Sequence, residues 1–236
     1  MAIQSVAGDV HLSTNNPTGF TTSQQPFSIT VWINAPWAGT VATPAAAASY
    51  VGMYGPATPT TALQIGCRGT GLCDCWTWGG GLMVSSPTAL TAGLWYFIGY
   101  TYDGTNHRLY INGSQVNTTT TVQLAGQFTY VYINGYPTAT TNEVSTHLVD
   151  SYSYYNRTLS ADEVLTMYNA KGARHGNAYG LVAAYEFDEL SAGSTVASVT
   201  DVSGNGNNLS VVGAGATPMT YAYAGAVASS NLRRVH

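Results

Sequence analysis

Along residues 27–33, Phe27, Ile29, Val31 and Ile33 fall on one side of an extended chain and Ser28, Thr30 and Trp32 on the other. A period of two over that length reads as a strand with one strongly buried face, not as a helix. Residues 95–102 repeat the aromatic and β-branched habit, from Trp95 to Tyr102, and stop at Asp103-Gly104. Residues 108–111 run into Asn112-Gly113, and residues 130–133 run into Asn134-Gly135. Asn-Gly accepts positive φ at both positions, which a type I′ hairpin turn requires, so these segments predict antiparallel meanders. Strand character returns at residues 181–188, and residues 201–209, with Gly204 and Gly206 among polar side chains, predict a tight turn. The alanine run at 45–48 and the threonine run at 118–121 read as exposed loop.

One helix stands against this background, at about residues 160–171. Ser160 and Glu163 form a capping box, and Leu159 with Val164 fits the hydrophobic staple around it. Ala161, Val164, Leu165 and Tyr168 repeat at i, i+3, i+4 and i+7, and Gly172 supplies a C-terminal stop. A single short helix cannot form a layer, so it is expected to lie on one end or edge of a sheet pair.

Composition narrows the class. Only 8% of the 236 residues are charged, against roughly 25% in an average soluble domain. Seventeen Tyr, five Trp and five Phe supply more buriable area than a disordered chain carries, and one domain over residues 1–236 is expected. The net charge of −4, with Lys171 the sole lysine, leaves no basic face for a phosphate backbone, which excludes nucleic acid as a partner. No apolar stretch approaches the ~18 residues of a membrane span, and no secretion signal follows Met1. Cys67, Cys73 and Cys75 are an odd set, and none of His11, His107, His147, His175 or His236 lies beside them to complete a zinc site. Cys67 and Cys73 flank Gly69-Thr70-Gly71, so a hairpin there would set them opposite each other, whether bonded or as a reduced, packed pair.

Five segments together resemble a known family. They are residues 27–33; Trp95 through Asp103, Gly104, Thr105 and Asn106; Arg108 to Gly113; Asp150 with residues 154–164; and residues 185–189 with 201–208. The chain resembles the concanavalin A-like, laminin G/pentraxin-type jelly rolls in their bacterial and phage form. The resemblance implies an all-β sandwich of two antiparallel sheets with one short capping helix. In that family the segments matching residues 185–189 and 201–208 open the domain. Here they close it, so the chain reads as a circular permutation in which residues 179–236 supply the opening strands. The alternative is that those residues complete a neighbouring copy.

Relatives of this sandwich include glycoside hydrolases, which directs attention to acid pairs. Glu186 and Asp188, at i and i+2 of a strand, would share a face about 6–7 Å apart. Glu189 faces away and the three-acid spacing of the hydrolases is missing, so no catalytic residue is assigned and no enzyme is expected. Calcium is the one cofactor the resemblance admits, and none is required. Asp188, Asp201 and Asn205 would offer the oxygens, against the simpler reading that Asp201 and Asn205 satisfy their own turn. Trp76 and Trp78 with Tyr54 form a candidate sugar-stacking platform, although most strand aromatics pack in cores or rims. Tyr132, Tyr152 and Tyr154 are expected to cover a sheet face or an oligomer interface.

Two functions follow from the resemblance and the composition. The first is a non-catalytic virion structural protein, a capsid decoration (cement) or fibre-type module at a bacteriophage surface. Its partners would be copies of itself and a major capsid or tail protein, docked through Arg233, Arg234 and His236 in a tail holding two of the seven basic residues. The absence of a signal beside a fold that usually acts outside cells favours it. The second is an extracellular lectin-like module or adhesin that binds host or environmental glycans.

Overall fold

The computed structural model describes residues 2–4, 11–15, 18–20, 25–34, 48–54, 63–67, 70–77, 81–120, 128, 130–133, 148–170, 178–189, 194–212 and 220–222. Along the chain come β1 (Ala2–Gln4), β2 (His11–Asn15), β3 (Phe27–Asn34), β4 (Ala48–Tyr54), β5 (Leu63–Cys67), β6 (Leu72–Thr77), β7 (Gly81–Ala89) and β8 (Trp95–Tyr102). They continue with β9 (His107–Ile111), β10 (Ser114–Thr119), β11 (Tyr130–Ile133), β12 (Val149–Tyr155) and the helix α1 (Ala161–Asn169). β13 (Leu181–Tyr185), β14 (Ser198–Val199), β15 (Leu209–Val212) and β16 (Thr220–Ala222) follow. Every pairing among the described residues is antiparallel.

The first sheet runs β10-β9-β8-β3-β12-β1-β16, with β13 also pairing β12; the second runs β14-β15-β2-β11-β4-β5-β6-β7. The later strands therefore join both sheets of their own chain, β13 beside β12 in one and β15 beside β2 in the other.

The core lies between the sheets and follows the alternation read in β3. Phe27, Ile29, Val31 and Ile33 face inward and are at most 1% exposed. They meet Ile98, Tyr100, Tyr152 and Tyr154 of their own sheet and Leu63, Ile65, Cys73, Cys75, Val131 and Ile133 of the other. Phe27 lies within 6 Å of four rings, at 5.5 Å from Phe128, 5.7 Å from Tyr100, 5.8 Å from Tyr154 and 5.9 Å from Tyr102. Burial of one such side chain is worth about 1.5–3 kcal/mol, so this hub is a large part of a marginal total.

The outward side of β3 is covered as well, because α1 lies on it. Trp32, Phe97, Tyr110, Tyr155, Leu159, Val164 and Met167 form a second apolar cluster under the helix. The helix sits on a sheet face, not an end or edge, and two glycines admit it: a Cβ on Gly99 would stand 3.0 Å from Val164 Cγ1, and one on Gly113 2.9 Å from Leu165 Cδ1. The capping box is formed in full, while the C-cap is Ala170 in ordinary helical geometry and Gly172 lies outside the described residues. Thr118 and Thr119 belong to β10, not to a loop, because their register against Arg108 and His107 continues the β9 hairpin. That hairpin turns at Asn112 (φ 52°) and Gly113 (φ 81°), the paired positive angles expected of it; Asn134 and Gly135 lie outside the described residues.

Candidate functional site

The two outer faces of the sandwich differ in chemistry. The first sheet's outer face is apolar under α1. On the second sheet, β6 sends Cys73 and Cys75 into the core, so Asp74 and Trp76 belong to the outer face; likewise Ile65 points in and Gln64 out. Register then lines up one row across the strands: Tyr132 of β11, Gly52 of β4, Gln64 of β5, Trp76 of β6 and Leu82 of β7. A parallel row holds Gly66, Asp74 and Ser85.

This face carries an amide, a carboxylate and aromatic rings, and its members belong to neither apolar cluster. Gln64, Asp74 and Trp76 are 2%, 1% and 4% exposed, so they form a packed layer. Leu82 is 44% exposed, and Tyr130 is half-buried with its ring 5.9 Å from that of Tyr132. Apolar ring faces set among a few fixed polar groups are the usual lining of a small-molecule site.

Of the expected stacking residues, Trp76 is brought to this face but offers no open ring, so a sugar does not stack on it in this conformation. Tyr54 occupies the β4 position opposite Tyr130, and Trp78 lies outside the described residues. Gln64 and Tyr130 escaped the sequence reading. The only local hints were the glycines at 52 and 66, whose meaning depends on cross-strand register.

The turn at residues 201–208 uses its polar atoms on itself. Asp201 Oδ1 accepts from the Ala184 and Ser203 amides at 3.0 and 2.9 Å, and Oδ2 from Ser203 Oγ and the Asn207 amide at 2.8 and 2.9 Å. Asn205 Nδ2 donates to the carbonyls of Leu181 and Val182 at 3.1 and 3.0 Å. Four donors fill the four acceptor directions of a carboxylate, leaving Asp201 nothing for a cation. Among the described residues no group of three His, Cys, Asp or Glu side chains is placed to hold a metal ion. The calcium set of Asp188, Asp201 and Asn205 therefore does not fit the donors as they stand, and turn chemistry accounts for Asp201 and for the amide nitrogen of Asn205.

The acid pair is also rearranged. β13 ends at Tyr185, and Phe187 adopts φ 53°, a left-handed angle that breaks the pleat between Glu186 and Asp188. A shared strand face thus no longer relates them; Glu186 is 8% exposed, and Glu189 Oε1 accepts from the Thr200 amide at 2.9 Å. Arg233, Arg234 and His236 lie outside the described residues.

The remaining charge is structural. Arg157 grips Glu163 through two bonds of 2.9 and 2.6 Å, and the Ser160 amide donates to Glu163 Oε2 at 2.8 Å. Arg157 and this capping geometry hold the Glu163 carboxyl down at about 2. Arg108 pairs with Asp103 at 2.7 Å. Burial pushes the hydroxyls of Tyr100, Tyr152 and Tyr185 well up, so all three stay neutral in the core.

A sealed sheet, a polar-aromatic sheet and a capping helix define a jelly-roll sandwich of the lectin type. The family described as the concanavalin A-like lectin/glucanases superfamily matches residues 7–165, and the chain belongs to it. No curated protein matches the chain. Among solved structures, a protein from Bacteroides ovatus ATCC 8483 provisionally described as carbohydrate binding is similar over 94% of this chain and 60% of its own, at 14% identity and TM-score 0.65. The heptameric SAP-like pentraxin of Limulus polyphemus is similar over 94% of this chain and 95% of its own, at 14% identity and TM-score 0.59. A Trypanosoma rangeli sialidase is similar over 64% of this chain and 23% of its own, at 16% identity and TM-score 0.50. The chain thus spans about three fifths of the Bacteroides protein and nearly all of the pentraxin. At such identities these likenesses establish the fold alone.

Proposed function

We propose that this protein is a non-catalytic carbohydrate-binding domain whose ligand face is the outer surface of the second sheet. The observation that carries the reading is the contrast between the two outer faces. One is apolar and covered by α1; the other sets Gln64 beside Trp76 in the row that begins at Tyr132, with Asp74 in the next row and Tyr130 beside Tyr132, and its open groups are Tyr130, Leu82 and Ser85. A saccharide would lay its C–H face on the Tyr130 ring and direct hydroxyls to the polar groups, with the buried Gln64–Asp74–Trp76 layer holding the surface in place. The Bacteroides protein's description supports the same class. The phage-particle reading, with its capsid or tail partner, draws no support from the fold or its likenesses and gives way to this one. Self-association stays part of the proposal, since the Limulus pentraxin is heptameric and a multimer would gain avidity for repeated glycans.

A glycan array followed by calorimetry on its hits tests this. Binding is expected, and Tyr130→Ala should weaken it about tenfold, the loss of one stacking contact worth ~1.4 kcal/mol. No bound glycan at high protein concentration, or binding indifferent to both Tyr130→Ala and Leu82→Ala, would refute the assignment.

A further inference from the structure

The β5–β6 hairpin places Cys67 directly opposite Cys73 in the register. Which kind of cross-strand position this is can be read from one hydrogen bond. The Cys73 amide donates to Ser86 Oγ at 2.9 Å. Ser86 belongs to β7, which flanks β6 on the side away from β5. In an antiparallel strand the N–H and C=O of one residue point the same way, so Cys73 turns both from β5 and its pairing with Cys67 is a non-hydrogen-bonded one. Such pairs bring Cα atoms to about 4.5 Å and side chains close together, inside the ~4.4–6.8 Å window of a disulfide. Cys75 is opposite Ile65 and so faces no cysteine across the ladder.

We propose that Cys67 and Cys73 are a disulfide-forming site, oxidised by a small-molecule disulfide of the glutathione type, with Cys75 left as the free thiol. One cysteine thiolate attacks the small disulfide and expels one thiolate; the second cysteine attacks the mixed disulfide at the protein sulfur and expels the other. Two protein thiols are oxidised, one disulfide is reduced to two thiols, and the two cysteine protons pass to the departing thiolates. Both cysteines are at most 2% exposed in the folded sandwich. The neighbouring Cys67 sulfur and burial hold the Cys73 thiol up, so its thiolate is scarce there. The bond therefore forms as the hairpin closes during folding. It clamps the hairpin that carries Gln64, Asp74 and Trp76, and it stands whether or not that face binds a glycan.

The test is to unfold the reduced full chain, refold it in a reduced/oxidised glutathione buffer, and alkylate it in denaturant before mass and peptide analysis. Expected are a single alkylated thiol at Cys75, a peptide linking Cys67 to Cys73, and a mass lower by two hydrogens. Closing so short a loop should raise Tm by about 4–8 °C over protein refolded in dithiothreitol. Three alkylated thiols, or a linkage through Cys75, would overturn the proposal. Cys75→Ala should keep the bond, and the wild-type peptide map decides the matter even where that variant folds poorly.

Discussion

Replacing Asp201 by alanine isolates the energy stored in the turn at 201–208. Its carboxylate, 6% exposed, is the common acceptor for the amides of Ala184, Ser203 and Asn207 and for the Ser203 hydroxyl. Asn207, so fixed, accepts from the Thr18 amide at 2.7 Å and donates to the carbonyls of Thr18 and Val182 at 3.1 and 2.9 Å. The Asn207 carbonyl in turn accepts from the buried Tyr185 hydroxyl at 2.6 Å. One side chain thus ties β13 of the first sheet to the approach to β15 of the second. Alanine strands the buried amides of Ala184 and Asn207, at about 1–3 kcal/mol each, whereas water reaches the half-buried Ser203. The expected loss is about 3–5 kcal/mol. Asp201→Asn keeps one acceptor oxygen and should lose about 2 kcal/mol.

Urea unfolding measures both as a fall in midpoint at unchanged slope. An Asp201→Ala loss under about 1 kcal/mol would refute the account of this side chain as a fully engaged acceptor. The same samples test the calcium alternative. A ligand binding only the native state at ten to a hundred times its Kd stabilises by ~1.4–2.7 kcal/mol. Millimolar calcium should leave wild-type stability unchanged; stabilisation that disappears in Asp201→Ala would show that the carboxylate trades its turn bonds for a cation.

Other outcomes follow from the same geometry. Glu163, held at about 2 chiefly by Arg157, is a depressed carboxyl; its contribution is present above the unfolded value near 4.3 and is lost as pH falls towards 2. Wild type should exceed Glu163→Gln by about 1 kcal/mol at neutral pH after allowance for partial exposure, with the gap closing by pH 2 in denaturant titrations; a gap constant with pH would contradict this. Gly99→Ala should cost about 1–2 kcal/mol by crowding Val164, and combining it with Val164→Ala should cost less than the sum, read from a double-mutant cycle.

What was legible in the chain is what is local. The capping box needs only Ser160 and Glu163 three residues apart, and the turn at Asn112-Gly113 only two adjacent backbones, so both are found where their residues predict. The inward set of β3 is likewise a period-two pattern within one strand. The position of α1 was not legible, because it depends on missing side chains at Gly99 and Gly113, on strands far from the helix in sequence. The end of β13 was misread for a related reason: Phe187 looks like a strand residue, yet its side chain is buried in the core with the backbone at φ 53°. The second sheet's outer face required the register of four strands before Gln64, Trp76 and Tyr132 could be placed in one row.

The scarcity of charge takes on meaning once the few charges are placed. Arg108 is paired with Asp103 and Arg157 with Glu163, and these are the two basic side chains among the described residues. Asp201 is surrounded by amides, and Glu189 holds the Thr200 amide. These charges therefore set turns and caps, while the candidate ligand face keeps its carboxylate, Asp74, buried and has at its surface a phenol ring, a leucine and a serine. Recognition there would rest on apolar stacking and neutral hydrogen bonds, neither of which is screened by counter-ions. Long-range steering, by contrast, fades beyond a Debye length of ~8 Å at physiological salt. The face is thus suited to uncharged saccharides, and their affinity should hold within about twofold from low to high ionic strength in calorimetry. A steep fall with salt would mean that charged groups dominate binding, and would move the site from this face to another part of the chain.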